Sequence, residues 1–520
     1  MTARASVGLR DVLRVALGCA LAAASAVMLT FAFSPHRAWF FVWIGFAPML
    51  VAQHRVLPAR LSALAPAIGV GGFVAGCFGG VFPAGAAWYM KALPILVGVI
   101  VFAGSSGQRA RRALSGWWPL QGALGWVSVE LARSFIPALG TWGFLGYAMF
   151  RQTWFLQPVS IFGTYGLDVL IVLVNYALGM LLVAWLDRRS GGDHRDPRED
   201  AVVPLSLAWR WCAGVGIACV IWGAAGVAMR PDGGATVRVA ALQPGVRWRE
   251  LGVTAEGRDR AILDVLSEQT RRAGAQGAKL VVWPESALHA DPQIAYREPL
   301  SALAREIGAY LFVGYRLETP SGNRNEVVTI GPDGAFLGKY GKDHPVSFMR
   351  ETSVTRGTYP TYQTTLGVVG AAICADIDFT DTLRKLALRG AKVIAVPSAD
   401  WLEISSKHYV LAVFRALETG AAVVKSEYSR DSVIVDGAGA MVATAITPQG
   451  SSAVLVADVA ARRGLPLAAR WGDWVGWLCV GGPIVGGLAR LRRRGASRLF
   501  AARNEARTMS RDRPRTGAPS

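Results

Sequence analysis

The chain has 520 residues, of which 52 % are hydrophobic and 18 % charged, with 18 tryptophans and a formal net charge of +19. An ordinary soluble domain carries roughly 25 % charged residues, so the composition excludes a wholly soluble chain. The positive charge does not point to nucleic acid. The arginines cluster in short loops between apolar runs and in the C-terminal stretch, and zinc-type Cys/His spacings, phosphate-cradling glycine loops and RNA-binding signatures are missing from the sequence.

In chain order, apolar stretches fall near residues 12–33, 38–53, 61–84, 92–105, 115–136, 164–186 and 207–229, with another at about 472–489. Several reach the roughly 20 residues that cross a bilayer; the second and fourth are short. The first run resembles a signal peptide, with Ala22 to Ala26 as a cleavage region, but further spans follow it directly, so it is read as an anchor. The expectation is a polytopic α-helical membrane bundle of about eight transmembrane helices over residues 1–230 and 472–489, around a soluble α/β domain at 233–468. Arg4, Arg10 and Arg14 precede the first span, and Arg55 and Arg60 follow the second. Arg109, Arg111 and Arg112 follow the fourth, Arg188, Arg189, Arg195 and Arg198 the sixth, and Arg490 to Arg494 the last. By the positive-inside rule these alternate loops are cytoplasmic, as are both termini and the basic tail 490–520, and the soluble domain is extracytoplasmic. Glu130, Arg133 and Asp168 fall in or beside the spans, where charges either face a cavity or partner or sit at an interface. Gly140 to Tyr147, followed by Gln157 to Gly166, is rich in glycine and aromatics and reads either as an outward loop over a lipid access route or as a plain connector.

From Thr236 short β-branched runs alternate with helical ones. Strands are expected at Val237–Gln243, Lys279–Trp283, Ala309–Tyr315, Glu326–Ile330, Leu366–Ile373, Lys392–Val396, Ala421–Lys425, Ser432–Val435 and Ala453–Val459, and helices at about 255–274, 296–307, 380–389 and 404–419. Turns are marked by Gly331-Pro-Asp-Gly334 and Asp436-Gly-Ala-Gly439.

Of the six cysteines, Cys19, Cys77, Cys212, Cys219 and Cys479 lie in apolar segments, and Cys374 alone lies in the soluble part. It has no soluble partner for a disulfide or a thiolate metal site. It ends an apolar strand, the place where ligands bind in α/β domains, although a buried structural cysteine is the alternative. Two further pieces join it. Trp283-Pro284-Glu285 ends a strand, because proline cannot continue the ladder, and presents a carboxylate there. Tyr340-Gly341-Lys342-Asp343-His344 follows a glycine-broken extended segment and offers an ammonium. A carboxylate accepts a proton, an ammonium stabilises an oxyanion and helps a thiol ionise, and together with a cysteine they suit acyl transfer.

With these residues in view, the chain resembles the nitrilase (carbon–nitrogen hydrolase) superfamily and, within it, the apolipoprotein N-acyltransferase family. In the membrane half the likeness rests on Phe33-Ser-Pro35, Gly146-Tyr147, Gln157, and Gly163 to Leu167 running on to Val174-Asn175. In the soluble half it rests on Gln243-Pro-Gly, Trp283-Pro-Glu285, Tyr340 to His344, Ile373-Cys374, Ser398-Ala-Asp-Trp401 and Phe414-Arg-Ala-Leu-Glu418-Thr-Gly. The resemblance implies a four-layer αββα sandwich with Glu285 as general base, Lys342 as oxyanion-side cation and Cys374 as nucleophile, supported by Trp248, His344, Glu351, Asp376 and Trp401. A backbone N–H near Ala375 would assist Lys342. It also implies a phospholipid acyl donor, a diacylglyceryl-modified apolipoprotein acceptor, a place in the cell inner membrane, and no metal or organic cofactor. The family's run after the lysine is His-Leu-Val-Pro-Phe-Gly-Glu; here it is His344-Pro-Val-Ser-Phe-Met-Arg350-Glu351, so the second glutamate falls on Arg350 or, with a one-residue slip, on Glu351. The family's Tyr-Glu after the cysteine is Ala375-Asp376, its Ser-Asn-Asp-Ala-Trp is Ser398-Ala399-Asp400-Trp401, and a later Asn region reads Ser426-Glu427-Tyr428. Two other readings keep the same residues: a membrane-tethered amidase that uses water, and a degenerate paralogue that binds lipoproteins without turnover. The segment Pro345–Thr364 is read as a lid or an ordinary surface loop.

Overall fold

The computed structural model describes residues 8–79, 81–82, 88–106, 116–189, 203–231, 234–246, 255–346 and 351–484, and it follows the change of periodicity near Thr236. Apolar helices of the first part are Leu9–Ala32 (α1), Leu64–Phe78 (α2), Leu93–Ser106 (α3), Trp118–Ser134 (α4), Val159–Arg189 (α5) and Leu205–Ala228 (α6). Among the described residues, α1, the segment Ala59–Phe78, α5 and α6 are long and apolar enough to cross a membrane; α3 and a helix at Trp474–Ile484 are shorter.

The stretch expected as a second span, 38–53, is not one continuous helix: it runs as a 3-10 turn at Trp39–Trp43, a short helix at Ala47–Val51 and a π turn at Ala52–Val56. The break is tolerated because Asn175 on α5, wholly buried, takes up backbone groups there: its Nδ2 donates to Val42 O at 2.8 Å and its Oδ1 accepts from Phe46 N at 2.8 Å. Irregular backbone at membrane depth survives only where such a partner exists.

The two ends of the bundle differ. At one, Arg14 Nε donates to Val56 O at 2.6 Å and Arg55 grips Asp187 at 2.5 and 2.8 Å, so two arginines and an aspartate from three sequence segments meet. The opposite end carries the soluble domain. There Ser34 Oγ donates to Ser406 O at 2.5 Å, Gln157 Nε2 to Ala438 O at 3.0 Å and Arg462 Nη1 to Met229 O at 3.3 Å. α5 kinks at Gly163, whose φ of 65° favours glycine. Beside the kink, Thr164 N and Oγ1 both donate to Glu418 Oε1, at 3.0 and 2.7 Å.

The soluble domain contains β1 (Thr236–Gln243), β2 (Leu280–Val282), β3 (Tyr310–Thr319), β4 (Gly322–Ile330), β5 (Phe336–Gly341), β6 (Thr361–Thr364), β7 (Gly367–Ala371), β8 (Val393–Ser398), β9 (Ala422–Glu427), β10 (Ser432–Val435), β11 (Met441–Ala445) and β12 (Ala453–Ala460). They form two six-stranded sheets, β12-β1-β2-β3-β4-β5 and β11-β10-β9-β8-β7-β6. The nine expected strands all form. β5, β6 and β11 are additional, and each is only partly buried, so apolar runs did not mark them.

Period-two alternation builds the layers. Val239, Ala241, Val282 and Phe312 point at Val369, Ala371, Val393 and Val424 of the other sheet, while Ala240, Leu242 and Val281 pack beneath the helices Ala255–Ala275 (α7) and Arg297–Ile307 (α8). The second sheet is covered by Asp381–Leu388 (α9) and Leu402–Thr419 (α10), giving the αββα order. α10 also faces the bundle: Tyr409, Val410, Phe414 and Leu417 share one apolar cluster with Phe144, Tyr147, Phe150 and Tyr165. One helix layer thus serves both the sandwich and the membrane part.

Candidate active site

β1, β2 and β3 are parallel to one another, as are β7, β8 and β9, so each sheet has an edge of carboxyl ends. Glu285 follows β2, Cys374 follows β7, Asp400 follows β8 and Glu427 closes β9. The two edges meet where Glu285 N donates to Ser398 O at 3.4 Å. A Cβ on Gly314 would lie 2.3 Å from Pro284 O and 3.0 Å from the Glu285 Cα, so β3 needs glycine there for the Trp-Pro-Glu turn to settle on it. Gly314→Ala is expected to destabilise the domain by about 1–3 kcal/mol through overpacking. Thermal unfolding of the purified protein in detergent checks this, together with a loss of activity larger than the loss of folded material.

Cys374 sits at a sharp turn with φ 45°, a left-handed conformation that costs a non-glycine residue on the order of 1–3 kcal/mol and persists only when surroundings impose it. Asp376 imposes it. Its carboxylate accepts from Ile373 N at 2.7 Å, His344 N at 2.8 Å, Asp343 N at 3.1 Å and Tyr340 OH at 2.6 Å, tying the turn to the segment that carries Lys342. Burial pushes the Asp376 carboxyl up to about 6, against the pull of His344 and these donors. Asp376 therefore lies beneath the turn rather than facing the cavity.

Lys342, 1 % exposed, lies between two carboxylates: Nζ is 2.8 Å from Glu285 Oε1 and 2.8 Å from Glu351 Oε2. Asn325 Nδ2 donates to Glu285 Oε1 at 2.8 Å and also bonds Glu351. Burial alone would lower the ammonium; the Glu285 and Glu351 charges outweigh it and hold Lys342 well above its usual range. Glu351 is opposed by burial too, but the Lys342 charge leaves it below the ordinary carboxylate value. Glu351 is thus the second carboxylate at Lys342; Arg350 and Trp248 lie outside the described residues. Asn325 carried no signal in the sequence beyond its place on β4.

Glu285, Lys342, Glu351, Cys374, Asp400 and Trp401 line one cavity of about 970 Å³. Cys374 also borders a much smaller space of about 30 Å³ on the bundle side, where Val81, Pro137, Ala138, Trp142, Phe379 and Ile404 meet His344, Asp378 and His408. The Gly140–Tyr147 segment is therefore neither exposed nor a bare connector. Trp142 stacks on His408 at 5.6 Å, and Thr141 N and Oγ1 donate to Asp378 O just past the cysteine turn. Glu130 and Asp168 are buried and hold this segment from below, with Asp168 Oδ1 accepting from Gly146 N at 2.5 Å and Glu130 Oε1 from Trp126 Nε1 at 2.8 Å. Arg133 spans 4.8 Å to the Phe144 ring. His344 does not face the large cavity: it stacks on Phe379 at 3.8 Å and lies 3.0 Å from Asp381. In Pro345–Thr364, Glu351 is anchored on Lys342, Val354 N donates to Asn323 O and Thr361–Thr364 is β6, so the described part is fixed to the sheets.

On the far side of Cys374 lies a buried group of charges that sequence reading did not assemble. Asp400 is 2.7 Å from His408 Nδ1 and 2.9 Å from Lys425 Nζ, Lys425 bonds Glu427, and His408 Nε2 is 3.1 Å from Asp378. Burial lowers His408, but Asp400 and Asp378 raise it to about 9. Glu427 is raised to about 8, by burial first and by Asp400 next. Both groups bind protons more tightly folded than unfolded. The stability they lend is complete at low pH, that of His408 below 6.5, and disappears as pH rises through about 8 and 9. The His408 share corresponds to about 3 kcal/mol. Heat inactivation at pH 6.5 and pH 9.5 is expected to show a lower midpoint at the higher pH, and His408→Gln a smaller difference.

The family described as carbon-nitrogen hydrolase matches residues 238–464, and the apolipoprotein N-acyltransferase N-terminal domain matches residues 25–177. An apolipoprotein N-acyltransferase of Geobacter metallireducens is 24 % identical over 519 residues, covering 91 % of this chain and 95 % of its own. That of Methylococcus capsulatus is 28 % identical over 448 residues, covering 79 % and 80 %. An amidase structure from Nesterenkonia sp. AN1 covers 43 % of this chain and 93 % of its own at 23 % identity and TM-score 0.37. With both halves matched and the relatives running nearly end to end, the chain belongs to the apolipoprotein N-acyltransferase family of carbon–nitrogen hydrolases.

Proposed function

We propose that the chain moves an acyl group from a membrane phospholipid to the N-terminal amine of a diacylglyceryl-modified apolipoprotein, through a thioester on Cys374. The observation that carries this is the position of Cys374 between the large cavity holding Glu285 and Lys342 and the smaller space on the bundle side. Val81, Pro137, Ala138 and Trp142 on that side come from the bundle, so the sulfur stands beside the membrane part of the chain. In the first half-reaction the sulfur attacks the ester carbonyl while Glu285 takes the thiol proton. Lys342 holds the oxyanion, the carbon–oxygen bond breaks, and the lysophospholipid oxygen leaves with the proton. In the second, the lipoprotein amine attacks the thioester, gives its proton to Glu285, and the carbon–sulfur bond breaks. The thiol is restored and an amide remains. Glu351 and Asn325 steady the Lys342–Glu285 pair, and Asp376 steadies the cysteine turn.

This reading places the chain in the cell inner membrane with about eight spans, the domain 233–468 extracytoplasmic and the tail 490–520 cytoplasmic. Incubation of the purified protein with phospholipid and a diacylglyceryl lipopeptide tests it by mass spectrometry. One added acyl chain on the lipopeptide and an equal amount of lysophospholipid are expected; free fatty acid without acylated peptide would make the chain a hydrolase instead. Complementation of a strain depleted of its N-acyltransferase, with Cys374→Ala as control, tests it in cells.

A further inference from the structure

Among the described residues the thiol of Cys374 has one hydrogen-bond partner, and it is neither Glu285 nor Lys342. Sγ lies 3.5 Å from Asp400 Oδ1. Asp400 is 0 % exposed at its side chain, as is Lys425, and His408 is 1 % exposed, so Asp400 meets the thiol at the cavity wall with buried charges behind it. From the strand ends and helix around it, Asp400 faces Cys374, His408 on α10, and Lys425 and Glu427 on β9. Glu285 and Lys342 act on Cys374 from the other side, with Glu351 behind Lys342.

We propose that Asp400 is a positioning residue for the nucleophile: it receives the S–H hydrogen of Cys374 in the resting state, fixing the sulfur's direction and keeping the thiol neutral until substrate arrives. This rests on Cys374 being the nucleophile. Two cations bound directly to Asp400 keep it an anion, so it is a hydrogen-bond acceptor but a poor proton acceptor, and removal of the proton is left to Glu285. A negative charge 3.5 Å from sulfur opposes a second one forming there. Burial raises the thiol first; Glu285 and then Asp400 and Glu427 raise it further, against Lys342, so the resting thiol is well above its usual range. A protein whose active domain works in an oxidising compartment gains from this arrangement, because the thiolate, not the thiol, is the form that oxidises.

The test is the pH dependence of Cys374 alkylation by iodoacetamide in the full-length protein in detergent, read at the Cys374 peptide by mass spectrometry so that the other cysteines do not interfere. Asp400→Asn is expected to move the midpoint down by a pH unit or more, so that Cys374 alkylates faster at pH 7.5, while acyl transfer falls at least tenfold with little change in KM. A merely structural role would lower transfer without moving the midpoint. Where Asp400→Asn leaves Lys425 with Glu427 alone and the protein fails to fold, the double variant Asp400→Asn/Lys425→Met removes both charges and still moves the midpoint down, by less. An unchanged or raised midpoint in a folded variant overturns the proposal. Failure of wild type to form an acyl-enzyme would overturn the nucleophile assignment instead, and the alkylation profile would still report on Asp400.

Discussion

Cys374→Ala is expected to remove transfer altogether, by on the order of 10⁴-fold or more, and to leave no acyl group bound to the protein. Truncating a side chain at a left-handed turn does not threaten the turn itself, because its donors and acceptors belong to Asp376, Tyr340 and the backbone of Asp343 and His344. The variant should therefore fold, bind phospholipid and still fail. Cys374→Ser is the sharper variant. An alcohol keeps the shape but is a far weaker acid than a thiol, so the base meets a proton that is much harder to remove. Intact mass spectrometry after incubation with a phospholipid alone should show one added acyl chain in wild type, released by hydroxylamine, and none in either variant. Acylation that persists in Cys374→Ala would move the nucleophile elsewhere and remove the reading built on it.

The reason this site was legible from sequence lies in its geometry. Glu285, Lys342 and Cys374 each stand where a strand stops, and strand ends announce themselves through proline, glycine or an abrupt change of polarity. The nine strands built from apolar runs were legible for the same reason. β5, β6 and β11 were not, because half-buried edge strands such as Thr361-Tyr-Gln-Thr364 carry no apolar alternation to detect. The broken segment after α1 reads as a span in any hydropathy window. Only Asn175, more than a hundred residues away, reveals that its backbone is open. The sequence left the second glutamate open between positions 350 and 351, and the structure sets Glu351 against Lys342. Most instructive are the motif residues that do no chemistry. Ser34, Gln157, Thr164 and Glu418 all lie where the bundle meets the sandwich. Their hydrogen bonds form a joint between two folds, which residue chemistry alone does not disclose.

That joint yields a result of moderate size. Glu418 accepts two hydrogen bonds from Thr164 at the α5 kink and pairs with Arg415 at 3.1 Å. Glu418→Ala leaves a buried N–H and a buried guanidinium short of a partner, which costs roughly 1–3 kcal/mol for each such group. The expected readout is faster limited proteolysis between the bundle and the domain, with the acyl-enzyme still forming at a reduced rate.

Lys342→Met has the second largest effect. Methionine fills the same volume without charge, so packing survives, but Glu285 and Glu351 are left facing each other without the cation that lay 2.8 Å from each. Breaking a buried pair by removing one partner typically costs 3–5 kcal/mol, because it leaves charge that is neither solvated nor matched. Two carboxylates in that position relieve the cost by binding a proton, and a protonated Glu285 is no longer a base. Transfer should fall at least 10³-fold from loss of the oxyanion contact together with the base. The stability loss has a sign that can be checked. In wild type Glu351 is held below its usual range by Lys342 and contributes stability that disappears on acidification. In the variant the pair retains a proton and gains stability as pH falls toward 5. The difference in thermal midpoint between wild type and variant in detergent should therefore be smaller at pH 5 than at pH 8. Lys342→Met/Glu351→Gln, which removes one charge of each sign, should recover much of the stability and none of the activity. Recovery of activity as well would mean that Lys342 holds Glu351 in place and does not act on the reacting carbonyl.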